Sequence, residues 1–233
     1  MAYGADYEVE AGLSRESLSN NRPSWKSENF RLTKLGENHE AFYLGWRETE
    51  RFHLQDSELQ LGTVRAIGSD THVQLELGTS GTFHILPKQY GDLNVHRNLG
   101  NGWGADLGGR VTEYRMGNTT LVRAGVERYL GQERFSYLLF AGGPEGSAIS
   151  SSHRVQWAHY YGDKDWMGVS AVQGRETDNL GEGVFSTTRV NGVSLSGRHD
   201  LSSDWGLIWE MGSLRQGDIY TRNGAYAGLR HSF

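Results

Sequence analysis

Apolar and polar side chains alternate along this chain in stretch after stretch. Nowhere do the roughly 20 consecutive apolar residues occur that a helix needs to cross a bilayer. A period of two marks a strand with one apolar and one polar face, because successive side chains point to opposite sides. Such segments fall at 3–13, 25–35, 40–49, 56–66, 71–79, 90–98, 102–115, 119–130, 133–141, 151–162, 166–176, 187–198, 204–214 and 222–233. They number about fourteen, or twelve if two short pairs are misread, and each is near the length that spans a bilayer as a tilted strand.

The connections between segments differ at their two ends. One set is short and rich in turn residues: Gly36-Glu37-Asn38, Gly68-Ser69-Asp70, Gly100-Asn101-Gly102, Gly131-Gln132, Gly162-Asp163-Lys164 and Asp200-Leu201-Ser202-Ser203. These supply the positive φ and side-chain caps of tight hairpins. The other set reads as longer loops at 14–24, 50–56, 78–89, 142–150, 177–186 and 216–221, with Gly117-Asn118 as a short exception. Short turns at one end and long loops at the other is the pattern of a membrane barrel whose short side is periplasmic. Glycine is abundant at 32 and proline scarce at 3, which suits strands and turns. The mean hydropathy of −0.59 fits strands that hide one apolar face within a polar average.

The faces separate by chemistry. One carries Phe42, Leu44 and Trp46; Val73, Leu75 and Leu77; Val122, Ala124 and Val126; and Trp205, Leu207, Trp209 and Met211. The other carries Tyr43, Arg47, Gln74, Glu76, Asp92, Asn94, His96, Arg123, Gln156 and Glu210. Trp103 and Trp205 follow short turns, where an aromatic girdle would sit. The last ten residues alternate strictly and stop on Phe233, read here as the closing strand with a terminal aromatic assembly signal. His231 departs from the usual aromatic or bulky apolar residue two before the end. The expected fold is therefore all-β: one closed, antiparallel, up-and-down transmembrane β-barrel over 1–233, with both termini periplasmic. A soluble barrel or sandwich would share the alternation but not the strand number or loop asymmetry. Since Met1-Ala2-Tyr3 leads almost directly into a strand, the sequence reads as a mature form with an added start methionine and no signal peptide.

Several stretches, in order, resemble one family: Arg47-Glu48-Thr49-Glu50-Arg51-Phe52, Leu86-Pro87-Lys88, Leu99-Gly100-Asn101-Gly102-Trp103-Gly104, Gly125-Val126-Glu127-Arg128-Tyr129, Ser152-His153-Arg154 with Tyr160-Tyr161-Gly162-Asp163, Gly174-Arg175-Glu176, Ser196-Gly197-Arg198-His199, and Gln216-Gly217-Asp218 before Tyr220-Thr221-Arg222. Over nearly the whole chain this set is similar to the YaiO-like outer-membrane β-barrels. The resemblance implies a bacterial outer-membrane location and a single barrel, related to the barrels of exopolysaccharide exporters. Relatives are often fused to helical tetratricopeptide repeats, and this chain is expected to depart from that form, with nothing before the barrel. The family brings no agreed catalytic residues.

Function must then be read from the inward face. Fourteen strands at 4.8 Å spacing and about 40° tilt close at a backbone radius on the order of 14 Å. About eight inward arginines (Arg31, Arg47, Arg110, Arg123, Arg134, Arg154, Arg198, Arg230) face about nine acids (Asp6, Glu8, Glu10, Glu58, Glu76, Asp92, Asp106, Glu127, Glu210). A pore for acidic sugars would lean basic, and this balance does not. Two uses of such a lumen follow: a stiffening lattice of paired charges, or a track for a neutral or mixed-charge saccharide with Tyr43, Tyr114, Tyr129, Tyr160 and Tyr226 as stacking platforms. The selectivity candidates are Arg47, Glu76, Asp106, Arg110, Arg123, Glu127, Tyr129, Arg134, Arg154 and Glu210, with Asp106 and Arg110 expected to pair across to Arg123 and Glu127.

The leading function is a channel or export conduit for a saccharide. A non-conducting scaffold or receptor would instead use the loops 78–89 and 177–186. A lipid or lipopolysaccharide hydrolase would need serine, histidine and a carboxylate on the outer wall. Ser152, His153 and His159 are the available groups, without a Gly-x-Ser-x-Gly elbow. His53, His84 and His153 fall on the loop side without compact metal-ligand spacing. The chain has no cysteine and a net charge of −5, so disulfides are excluded and nucleic acid is not an expected partner. No cofactor or metal is expected. The expected partners are outer-membrane lipid and lipopolysaccharide, the barrel-assembly machinery, and, for export, a saccharide with periplasmic components.

Overall fold

Every alternating segment becomes a strand in the computed structural model, which describes residues 7–162, 164–181 and 184–233. The strands are β1 (Tyr7–Leu18), β2 (Trp25–Leu35), β3 (Ala41–Arg51), β4 (Leu54–Ile67), β5 (Thr71–Ser80), β6 (Gln89–Gly100) and β7 (Trp103–Tyr114), then β8 (Gly117–Leu130), β9 (Glu133–Pro144), β10 (Ser150–Tyr160), β11 (Trp166–Gly181), β12 (Val184–Asp200), β13 (Trp205–Gln216) and β14 (Tyr220–Ser232). The count is fourteen and not twelve. Residues 3–6 of the expected first segment, with Ala5 and Asp6, and Asp163 of one expected turn, lie outside the described residues.

Each strand pairs with its sequence neighbours, and β1 pairs with β14, so the sheet closes. The seam runs antiparallel from Glu8 opposite Ser232 to Leu18 opposite Arg222. It is finished by mutual backbone hydrogen bonds between Tyr7 and Phe233 at 3.0 and 2.9 Å. The Tyr7 ring stacks on Phe233 with centroids 5.9 Å apart. His231 lies between Trp205 at 4.5 Å and Phe233 at 5.7 Å. The imidazole thus fills the place in the outer aromatic belt that a second aromatic would take.

Burial is inverted relative to a water-soluble protein. Phe42, Leu44, Leu61, Leu77, Val122, Val155, Leu195 and Met211 are exposed on the outside, whereas Glu58 and Asp56 are each 1% exposed and Arg230 2%. A polar group hidden this way must be paired or it costs several kcal/mol. The apolar exterior is what hydrocarbon would cover. The large inward rings need space, and glycine provides it. Tyr43 lies on Gly62 and Tyr90 on Gly78, each directly opposite in register, and Tyr226 lies on Gly12 and Gly228. A Cβ at any of these glycines would overlap the ring.

The loop end departs from the expected asymmetry. The expected loop at 50–56 is a hairpin through Phe52 and His53, which both have positive φ. The expected loop at 177–186 is largely strand, since β11 runs on to Gly181 and β12 starts at Val184. The hairpin placed at Gly117-Asn118 turns instead at Arg115 and Met116. Polar residues at these strand ends lowered the apparent alternation, but cross-strand hydrogen bonding such as Thr177 to Thr187 at 2.8 Å holds the ladder.

The long connection that remains covers 81–88, and it is folded down rather than outward. Asp56 accepts hydrogen bonds from the backbone N–H of Ile85 (2.7 Å) and Leu86 (2.9 Å), and contacts His84 Nδ1 at 3.1 Å. Leu86 is 3% exposed. One buried carboxylate therefore pins the loop over the inward face of β4. Replacing Asp56 by alanine leaves those amides without an acceptor and should free the loop. Trypsin cleavage after Lys88 in the folded barrel is then expected to accelerate at least tenfold, and an unchanged rate would show that the loop is held by something else.

Candidate functional site: the lumen

The register places all ten candidate residues on the inward face. It also divides the lumen into two unlike halves. From β1 to β9 many inward positions carry long charged side chains, held by a carboxylate, a hydroxyl or an aromatic ring. Arg47 donates to Glu58 at 3.0 Å, with Gln60 donating to the same oxygen at 2.7 Å. Glu76 receives the hydroxyls of Tyr43 (2.7 Å) and Tyr90 (2.8 Å). Arg110 lies over the Tyr90 ring at 3.6 Å and Arg31 over Tyr43 at 4.7 Å. Arg123 grips Asp92 with both terminal nitrogens and donates its Nε to Asn94 at 3.0 Å. Arg134 donates to Glu127 at 2.7 Å. At the seam Arg230 bridges Glu8 (2.7 Å) and Asp200 (2.6 Å), and Tyr226 donates to Glu10 at 2.9 Å.

One expected pairing is not made. Asp106 and Arg110 do not meet Arg123 and Glu127. Gly125 stands opposite Asp106, Leu121 opposite Arg110, and Gly108 opposite Arg123. The long side chains therefore lean the other way, to β6. Asp106 takes His96 Nδ1 at 3.2 Å and Asn94 at 3.3 Å, and Arg123 reaches over Gly108 to Asp92. Tyr43 and Tyr226, expected as stacking platforms, are consumed in this lattice. Tyr129 and Tyr160 sit together at the turn end, 6.2 Å apart, and Tyr114 is exposed at the loop end.

The second half is built from small residues. Along β10 to β13 the inward positions include Ser150, Ser152, Ser170, Ser194 and Ser196, with Gly168, Gly174, Gly192 and Gly212 among them. They leave a cavity of about 630 Å³ against that wall. Leu121, Phe140, Val172 and Leu214 give it an apolar flank, and Arg154, Glu176, Glu210 and the Glu16–Arg222 pair give it charge. Several of these were missed in the sequence. Glu16 fell in the segment 14–24 read as a loop, and Glu176 stood at the very end of the strand read at 166–176. Leu121 and Phe140 sit beside outward apolar residues, so alternation did not mark them as inward.

Ser152 and His153 are adjacent in β10 and so face opposite ways. Ser152 lines the cavity, while His153 is outside and contacts the Tyr137 hydroxyl at 2.6 Å. The pair cannot act together as nucleophile and base. His159 is also outside, held by Glu133 at 2.7 Å. His84 is engaged with Asp56 and His53 sits in the β3–β4 hairpin, so the three loop-side histidines do not converge.

The two halves should respond differently to loss of charge. Glu127→Ala strands Arg134 in a half-buried position, which costs about 3–5 kcal/mol. Glu210→Ala removes a carboxylate that is exposed to the lumen and unpaired among the described residues, and should change stability by under about 0.5 kcal/mol. Urea unfolding in lipid vesicles measures both. Equal losses would refute the division.

Barrels of this shape occur among solved structures at very low sequence identity. The chain matches "CymD monoaromatic hydrocarbon channel" with a TM-score of 0.66 and 8% identity, covering 99% of this chain and 89% of that one. It matches "Bacterial polysaccharide outer membrane secretin" at 0.63 and 7% identity, covering 97% and 98%. A loop L8 deletion mutant of the Vibrio cholerae outer-membrane protein OmpT matches at 0.57 and 10% identity, covering 98% and 99%. No curated protein sequence matches the chain. The family described as "YaiO membrane beta barrel domain" matches residues 6–179. That match is narrower than the near-whole-chain resemblance of the motifs and ends within β11. The barrel is thus an outer-membrane protein of bacteria with channel-like neighbours, and the chain belongs to the YaiO family of membrane β-barrels.

Proposed function

We propose that this barrel is a channel for a saccharide-sized polar solute, with its path along the β10–β13 wall. The observation that carries the reading is the cavity of about 630 Å³ beside that wall, lined by serine hydroxyls on one side and by Leu121, Phe140, Val172 and Leu214 on another. A sugar presents hydroxyls at its edge and C–H groups on its ring faces, and such a lining answers both. The volume falls within the few hundred to a thousand Å³ of small-molecule sites. The paired charges of β1 to β9 neutralise one another, so they exert little net pull on a charged solute. Support comes also from the same fold in neighbours described as a hydrocarbon channel and a polysaccharide secretin. An export role in exopolysaccharide secretion accords with the family resemblance and with a conduit of this width. The receptor alternative loses its main surface, because the connection at 177–186 is mostly strand and 81–88 is folded inward.

Planar-bilayer recording of the refolded barrel, with liposome swelling in glucose and sucrose, tests the proposal. Discrete conductance steps and sugar-dependent swelling are expected. Ser194→Trp, which fills the cavity, should cut both by more than half. Leu195→Trp, on the lipid face, should leave them unchanged. Absence of steps from a folded barrel, or a Ser194→Trp variant as conductive as the parent, would overturn it.

A further inference from the structure

The cavity holds two opposite charges that do not meet. Arg154 on β10 and Glu210 on β13 both line it, with β11 and β12 between them. Among the described residues Glu210 has neither an ion pair nor a hydrogen bond. Arg154 has neither as well, and its Nε is buried without a partner. One contact does hold the guanidinium, which lies over the Phe140 ring at 5.5 Å. Val172 stands directly opposite Arg154 and Ser196 opposite Glu210, and Gly168, Ser170, Gly192 and Ser194 complete the span, none of them charged. Ser170 and Ser194 are tied to each other at 2.9 Å. The result is a low floor with a cation at one edge and an anion at the other.

Among the described residues Arg31, Arg51 and Arg110 are likewise held by a ring alone, that of Tyr43, Trp25 and Tyr90, but none of them lines the cavity. Arg47, Arg123, Arg134 and Arg230 each hold a carboxylate within 3.0 Å. An unpaired half-buried guanidinium carries a desolvation cost that a ligand can relieve. A simple anion would relieve Arg154 but would sit in the field of Glu210 and Glu176. A simple cation would suit Glu210 but would approach Arg154. A neutral sugar leaves both charges unanswered. A solute with both signs, spaced by a short polar body, complements the whole site, and opposite charges arranged this way confer selectivity more than raw affinity.

We infer that the Arg154–Glu210 floor is a binding site for a zwitterionic saccharide unit, its anionic group on Arg154 and its ammonium on Glu210. The inference rests on the lumen being accessible to solutes, as in the channel reading, but its readout is binding and not conduction. The probes are glucosamine 6-sulfate (both signs), glucose 6-sulfate (anion only), glucosamine (cation only) and glucose (neutral). Titration calorimetry is performed with the full refolded barrel in detergent micelles at mildly acidic pH, where the amine is protonated. Folding of every variant is checked by heat-modifiable gel migration.

Glucosamine 6-sulfate should bind at least tenfold more tightly than each of the other three. Arg154→Gln should bring it to the level of glucosamine, and Glu210→Gln to that of glucose 6-sulfate. If Arg154→Gln does not fold, Glu210→Gln decides alone, by losing the preference for glucosamine 6-sulfate over glucose 6-sulfate. Equal affinity for the four probes, or a preference that survives both substitutions, would overturn the site. A barrel that conducts but shows no preference refutes this inference alone. One that binds selectively but shows no conductance refutes the channel and leaves the site standing.

Discussion

In hydrocarbon every backbone amide and carbonyl must find its partner within the protein, so a sheet can cross only if it has no edge. Closure of β1 on β14 meets that requirement. The eleven registered pairs of the seam, from Glu8–Ser232 to Leu18–Arg222, turn a strip of hairpins into a cylinder. The seam also fixes which side chains face inward, because a slip of one residue would exchange the faces. Arg230 secures that register from inside through Glu8 and Asp200. Tyr7, Phe233, His231 and Trp205 secure it from outside by stacking.

Closure forces polar residues into a confined interior, and the sequence answers with two solutions. Along β1 to β9 it packs long charged residues and covers the neighbouring glycines with tyrosine rings. The pairs are short and several are bidentate or shared, so this wall is stiff and offers little free charge. Along β10 to β13 it uses serine and glycine, which leave volume. A lumen filled evenly by either chemistry would be a plug or a wide hole. Placing them side by side leaves a cavity against a paired, charged wall.

Much of this was legible in the sequence because the strand period is two and glycine-rich turns punctuate it. Strand number, the inward placement of Arg47, Glu76, Arg123, Glu127, Arg154 and Glu210, and the girdle positions of Trp103 and Trp205 followed directly. Partner choice did not. Arg123 bonds Asp92, two strands away, because Gly108 leaves a gap that only the register reveals. Asp56 looked like a loop residue, and its role as anchor of 81–88 depends on a fold-back with no periodic signal. The cavity escaped notice since it is defined by what serine and glycine omit, and Leu121 and Phe140 are apolar residues on the inward face with apolar neighbours on the outward one. The loop ends misled because polar hairpins such as Thr177 opposite Thr187 are strands without an apolar face.

The division of the lumen sets Ser194 of β12, which borders the cavity, against Ser136 of β9, which stands opposite Glu127 in the charged lattice. The chain has no cysteine, so a single introduced thiol reports its own surroundings. The measurement is the rate of modification by a charged, membrane-impermeant methanethiosulfonate in vesicles for Ser194→Cys, Ser136→Cys and Leu195→Cys. Fast reaction is expected at 194, at least tenfold slower reaction at 136 within the charged lattice, and none at 195 in lipid. Equal rates at 194 and 136, or reaction at 195 in place of 194, would contradict that division.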